Sequence, residues 1–280
     1  MKRIDLVAIE HHRKIGEECP YIEPNITEDC MFYADDKPIG FYLTKMPEKM
    51  CKLADVANAE FRSERVPKTL MDRSDVLKAA KDNPGISRKE ARKIGTSQMS
   101  VILGGIPPKP HMRRPYPSIS SVHQVKSAQT FIKAMLMLAK ESEALIAELI
   151  PEQYAKQLEA FKAVPDKWKF GNLFTSSISN FNISAPFHRD AGNIVDCVNV
   201  IICKRMNSKG GDLHIPDYGA TIGQVDNSVL VYPAWRNMHG VTPIIPTFEG
   251  GYRNSLVFYP LKAFVGLETG TKQGVDANAT

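Results

Sequence analysis

His188 and Asp190 stand two residues apart, and a second histidine, His239, follows a β-rich run at Ser228 to Tyr232 and a turn at Pro233-Ala234-Trp235. Arg253 opens the last strong β-rich run, and Ser255 comes two residues later, so a strand holding both shows them on one face. Two imidazoles and one carboxylate on one face of a metal ion make the ligand set of non-haem Fe(II) oxygenases, which leaves three positions for a bidentate 2-oxo acid and O2. A forked, permanently charged Arg suits the distal carboxylate of that acid, and the Ser hydroxyl can add a hydrogen bond. Within the His-x-Asp pair, Arg189 is expected to point away while the two ligands converge. The third ligand must return from a distant strand.

A lone His-x-Asp pair is weak, because a chain with 7 histidines produces one easily by chance. The set gains its specificity from order and placement. Each member also has a plainer reading, His239 as a core histidine bonded to a carbonyl and Arg253 as a surface charge. His214, in a run after Gly210-Gly211-Asp212, is read as structural because His239 has the better spacing to Arg253. His11, His12, His111 and His123 lie outside the β-rich half. No Cys pair and no His-Glu-x-x-His helix supports zinc.

The elements that must position these residues are legible as texture. Beyond residue 170, β-formers cluster in short runs at Leu173 to Ile183, Ile194 to Cys203, Asp212 to Ile215, Ser228 to Tyr232 and Ser255 to Tyr259, separated by turn residues such as Asn207-Ser208-Lys209-Gly210-Gly211. Many short strands at such intervals indicate a sandwich or barrel. From Val122 to Ile150 apolar residues recur at helical spacing, among them Phe131, Met135, Leu138, Leu145 and Leu149. Pro151 ends that helix and suits the start of another, closed at Val164-Pro165. Earlier, a helix is expected from Glu48 to Arg65. A capping box at Ser87 and Glu90 begins another that Gly95 would end, and Val101-Ile102-Leu103 reads as a short buried strand.

Composition narrows the class. Hydrophobic residues at 43% and charged residues at 24% suit a globular protein. Lys133, Lys140, Glu141 and Glu143 interrupt the most apolar segment, so no membrane span is expected, and Leu6 to Ile9 is too short for a signal peptide. Five cysteines without metal or disulfide spacing fit reduced thiols, hence a cytoplasmic protein, or a nuclear one in a eukaryote. The net charge of +5 is local: residues 86–114 hold Arg88, Lys89, Arg92, Lys93, Lys109, Arg113 and Arg114 against Glu90 alone. Such a patch favours a polyanionic partner, although a solvated basic face would look the same.

Several stretches extend the pattern: Ser100-Val101-Ile102-Leu103-Gly104-Gly105, Arg113-Arg114-Pro115-Tyr116, Asn182, Phe187-His188-Arg189-Asp190-Ala191-Gly192-Asn193, Gly210-Gly211-Asp212-Leu213 and Met238-His239-Gly240-Val241-Thr242-Pro243. Through them, residues from about 95 to 265 resemble the oxygenase domain shared by the ten-eleven-translocation methylcytosine oxygenases and the J-binding-protein thymine hydroxylases, within the iron and 2-oxoglutarate dioxygenase superfamily. The resemblance implies an α+β fold, a double-stranded β-helix (jelly-roll) core with flanking helices. It implies Fe(II), 2-oxoglutarate and O2 as cofactors. It further implies that a methyl group on a pyrimidine of DNA is hydroxylated, 5-methylcytosine ahead of thymine, with the base flipped from the stack. Asn193 matches the position that contacts the flipped base in the methylcytosine enzymes, and Arg113, Arg114 and Tyr116 are candidates at the pocket mouth. The expected organisation is a mixed, partly helical N-terminal extension over 1–95, with nucleic acid a partner it could bind. A dioxygenase domain follows over 96–266, with helices at 122–164 and the jelly-roll at 170–266, and a frayed tail at 267–280. The same chemistry on a protein or small molecule, and a non-catalytic nucleic-acid-binding jelly-roll, stay open at this point.

Overall fold

The computed structural model describes residues 1–70, 79–87, 90, 91, 98–109 and 114–267. The expectations for Arg88, Lys89, Arg92, Lys93, Gly95, Arg113 and the tail beyond 267 lie outside the described residues. In the first third, β1 (Lys2–Asp5), β2 (Cys30–Ala34) and β3 (Lys37–Leu43) precede α1 (Glu48–Arg62) and β4 (Thr69–Leu70). Then come β5 (Met99–Ile106), β6 (Ser118–Ile119), α2 (Gln129–Leu149) and α3 (Pro151–Ala160). The remainder is β7 (Ser176–Phe181), β8 (Ala185–His188), β9 (Asn199–Met206), β10 (Ser208–Gly210), β11 (Leu213–Ile215), β12 (Ala220–Ile222), β13 (Val229–Tyr232), β14 (His239–Val241), β15 (Ile244–Pro246) and β16 (Tyr252–Tyr259).

These strands form the α+β jelly-roll. A ten-stranded sheet runs β1-β2-β3-β13-β9-β16-β7-β5-β4, with β6 on β5, and faces a four-stranded sheet ordered β12-β11-β14-β8. Strand alternation decides what each face does. On β16 and β9, Leu256, Phe258, Val200 and Ile202 turn outward into a core with Phe61 of α1 and Phe131, Met135 and Leu138 of α2. Arg253, Ser255, Val257 and Tyr259, with Asn199 and Ile201, turn inward between the sheets. A second core of Phe32, Tyr42, Leu230 and Tyr232 against Leu213, Ile215 and Ile222 closes one end of that space. Each such side chain contributes roughly 1.5–3 kcal/mol when fully buried, so the first core fixes the helices against the outer face of the large sheet and the second holds the two sheets together beside the inward-facing polar residues.

Local signals hold with small shifts. The capping box at Ser87 forms, its Oγ 2.7 Å from Glu90 Oε2 and its backbone N–H donating to the same oxygen at 2.8 Å. α1 stops at Arg62, three residues short of expectation, where the Ser63 N–H reaches Ala59 O at 3.1 Å. The helix expected from Val122 starts instead at Gln129, after two 3-10 turns (Ser121–Gln124 and Lys126–Ala128), because Val125 adopts an extended backbone between them. Pro151 is the first residue of α3. β3 pairs antiparallel with β13, Val229 opposite Leu43, so β1, β2 and β3 extend the same sheet that carries Arg253. All five cysteines are free and buried. Among the described residues no helix is long and apolar enough to cross a membrane.

Candidate active site between the two sheets

His188 ends β8 and His239 begins β14, and the two strands pair antiparallel with these residues directly opposite. Their rings lie 4.4 Å apart between centroids. Asp190 follows β8 in a turn, its backbone N–H donating to Ala234 O at 3.2 Å, which brings its carboxylate to 3.6 Å from His188 Nε2. One ligand atom from each of His188, Asp190 and His239 lies within 4.8 Å of the others.

The protonation pattern suits a cation. His188 Nδ1 is 2.7 Å from Pro186 O, and His239 Nδ1 is 3.1 Å from Asn237 O. A carbonyl only accepts, so both Nδ1 atoms carry the proton and both Nε2 lone pairs are left toward the shared space. Burial, helped by His188, pulls the His239 imidazole below its ordinary value against the opposing charge of Asp190, which favours the neutral, ligating form. Asp190 Oδ2 accepts from Asn199 Nδ2 at 3.0 Å, and Asn199 Oδ1 accepts from Asn193 Nδ2 at 2.8 Å. The carboxylate is thus held from behind, with Oδ1 directed at the histidines.

A cavity of about 500 Å3 joins this cluster to Arg253 and Ser255. Arg253 is 3% exposed, its Nε has no hydrogen-bond partner, and no carboxylate among the described residues forms an ion pair with it. Burial acts against its charge, lowering its pKa. A buried, unpaired guanidinium is costly, so the cavity is built for an anion. Its backbone is clipped to Asn182, which donates N–H to Arg253 O at 2.8 Å and accepts from Arg253 N at 3.0 Å while in the left-handed region at φ 55°. Gly211, at φ 70°, lies over the Arg253 stem, and a Cβ there would overlap Arg253 Cδ.

Other expectations are redistributed. Arg189, expected to point away, is exposed and lines the cavity rim. Asn193 is only 3% exposed and lines the cavity, and its amide nitrogen donates to Asn199 Oδ1 at 2.8 Å and to Asp190 Oδ2 at 3.5 Å. Arg114 pairs through its backbone with Lys109, Tyr116 is 41% exposed, and neither lines the cavity. His214 lies outside the cluster, its Nδ1 2.8 Å from Thr221 Oγ1. Asn199, Tyr232, Tyr259 and Gln224 also line the cavity and went unnoticed in the sequence. The parity of β9 could have indicated Asn199, since it shares a face with Ile201 and alternates with the outward Val200 and Ile202; nothing local marks Gln224.

Among solved structures, NgTET1 in complex with 5mC DNA is similar at a TM-score of 0.56 and 12% identity, over 90% of this chain and 85% of that one. A Burkholderia pseudomallei oxidoreductase of the 2OG-Fe(II) oxygenase family, at 12% identity, covers 79% of this chain and 84% of its own with a TM-score of 0.43. A full-length Neurospora crassa protein in complex with alpha-KG, also at 12% identity, covers 79% and 75% with a TM-score of 0.42. No curated protein matches the sequence. The donor set and the orphaned Arg253 fit Fe(II) and 2-oxoglutarate, which with O2 are the groups used by the superfamily that the family match below identifies. Residues 109–262, more than half of the chain, match the Tet-JBP family, and the protein therefore belongs to this oxygenase domain of the 2OGFeDO superfamily.

Proposed function

We propose that the protein is a 2-oxoglutarate-dependent dioxygenase that hydroxylates the methyl group of a pyrimidine in DNA, 5-methylcytosine ahead of thymine. His188, Asp190 and His239 would hold one Fe(II), and Arg253 with Ser255 would anchor the distal carboxylate of 2-oxoglutarate. The carrying observation is a single cavity that contains all five side chains, with an unpaired buried cation among them. Its volume of about 500 Å3 falls within the ~300–1,000 Å3 of small-molecule sites. When bound, Fe(II) with 2-oxoglutarate and O2 supplies oxidative decarboxylation coupled to hydroxylation of a C–H bond.

The chain's own part is to bind, orient and exclude. Arg253 and Ser255 fix the co-substrate lengthwise, and the Asn199 amide keeps Asp190 turned toward the histidines. Ile178, Ile183, Leu213 and Val241 line the same cavity and keep water from the reacting C–H bond. Asn199→Ala is expected to weaken Mn(II) affinity by roughly 10–100-fold, as loss of a partner behind a ligand does; titration of Mn(II) measured by electron paramagnetic resonance checks it.

Family membership and the likeness to a fold solved with 5mC DNA support the DNA substrate. With its nitrogen turned to both Asn199 and Asp190, the Asn193 amide offers a base its carbonyl oxygen, an acceptor. That complements the N4 amino group of cytosine, where thymine carries an acceptor of its own. Arg189 at the rim adds a cation for a phosphate. The test compares duplexes whose only methylated pyrimidine is 5-methylcytosine or thymine, with nucleosides read by mass spectrometry after reaction with Fe(II) and 2-oxoglutarate. The expected product is 5-hydroxymethylcytosine. Product from thymine alone reverses the base, and no product from either duplex, with oxidation of a peptide or metabolite, removes DNA as the substrate.

A further inference from the structure

Gln224 is 1% exposed, and neither atom of its side-chain amide has a hydrogen-bond partner. An amide left unpaired in the interior costs as much as a lost hydrogen bond or more, so such a group calls for a partner that arrives from elsewhere. Its side chain lines the same cavity as Arg253 and Ser255.

The backbone around it is held from several sides. Gln224 N donates to Asp212 Oδ1 at 2.8 Å, and Gln224 O accepts from Arg205 Nη1 at 2.7 Å and from Cys203 Sγ at 3.4 Å. The Tyr42 hydroxyl donates to the preceding carbonyl, that of Gly223. Cys203 and Arg205 lie directly opposite Ser255 and Arg253 in the β9–β16 pairing. The Gly211-Asp212 turn spans both residues, since Gly211 covers the Arg253 stem and Asp212 holds the Gln224 N–H. Gln224 is therefore anchored beside the Arg253 end of the cavity, away from the His188, Asp190 and His239 cluster along the strand.

We infer that Gln224 is a specificity-determining residue for the co-substrate, its side-chain N–H donating to the distal carboxylate that Arg253 and Ser255 receive. The inference rests on the reading of this cavity as a 2-oxoglutarate site. One charged fork and one hydroxyl leave lone pairs of a carboxylate unmatched, and a rigidly placed amide supplies a third direction. A diacid of the right length satisfies the amide, whereas an acid without the distal carboxylate leaves it orphaned, so the amide discriminates between them.

The test is calorimetric titration of the full chain loaded with Mn(II), using N-oxalylglycine, which carries a distal carboxylate, and oxalate, which does not. Gln224→Leu is expected to weaken N-oxalylglycine by roughly tenfold, the value of one hydrogen bond to a charged group, and to leave oxalate within about twofold. Gln224→Glu keeps the shape and sets a like charge against the ligand, so it should weaken N-oxalylglycine further and serves if the Leu variant fails to fold. Wild-type chain that binds N-oxalylglycine while both variants bind it equally well overturns the inference alone. Equal losses for both ligands also overturn it, since that pattern marks a structural role. Wild-type chain that binds neither ligand overturns the reading of the cavity, and the inference with it.

Discussion

Asp190→Ala is expected to reduce succinate formation by more than ~100-fold, because even partners behind a metal ligand cost 10–100-fold when removed, and Asp190 would be a ligand itself. The fold should survive the change. The Asp190 side chain is 32% exposed and packs no core, so truncation opens no cavity. The internal loss is the acceptor for Asn199 Nδ2 at 3.0 Å and, more weakly, for Asn193 Nδ2 at 3.5 Å, worth roughly 1.5–3 kcal/mol for a charged acceptor. Circular dichroism should therefore match wild type and the melting temperature fall by only several degrees, while Mn(II) binding fails. Full succinate production by Asp190→Ala would show that another group holds the metal.

Arg253→Lys and Arg253→Met separate charge, fork and packing. Lysine keeps the cation but loses the bidentate geometry, so N-oxalylglycine affinity should fall by about tenfold or more, consistent with ~1.5–3 kcal/mol for a charge-assisted hydrogen bond. Methionine removes the charge and should abolish detectable binding. Without ligand, however, Arg253→Met should melt at the same temperature as wild type or higher, since an unpaired buried cation destabilises the empty protein. The site thus gives up stability for affinity, and the two effects have opposite signs in one variant. Unchanged affinity in Arg253→Lys would point to another cation. Neither Arg236 nor Lys262 is placed to substitute: Arg236 sits 3.6 Å from Asp35 on the wall of a separate cavity, and Lys262 lines no part of the site.

Much of the site was legible because strand geometry converts spacing into direction. Arg253 and Ser255, two apart, could only share a face, and Val257 and Tyr259 continue it into the cavity. His188 and Asp190 were readable as a pair, but the turn that lets the second residue swing back is set by its bond to Ala234, 44 positions later in the chain. The same turn brings Arg189 to the rim, contrary to the simple alternation expected for an unbroken strand. Asn193 shows what the motif leaves undetermined. Its place in the motif gives its position but not its hydrogen bonds, and packing turns its nitrogen to Asn199, six residues away, and to Asp190.

By itself the sequence determined the chemistry that could occur, the class of strand and helix, and which side chains share a face, since all of these follow from residue type and local periodicity. Tertiary structure alone decided which strands are neighbours. Period-two alternation gives no partner, so nothing local shows that β3 completes the sheet of β13, or that β8 lies against β14 to bring His188 opposite His239. Nor does it show that Gln224, an isolated polar residue after β12, is drawn beneath Asp212 and over β9 to stand beside Arg253. Those outcomes depend on pairing register and on burying two cores at once, and both are properties of the whole chain.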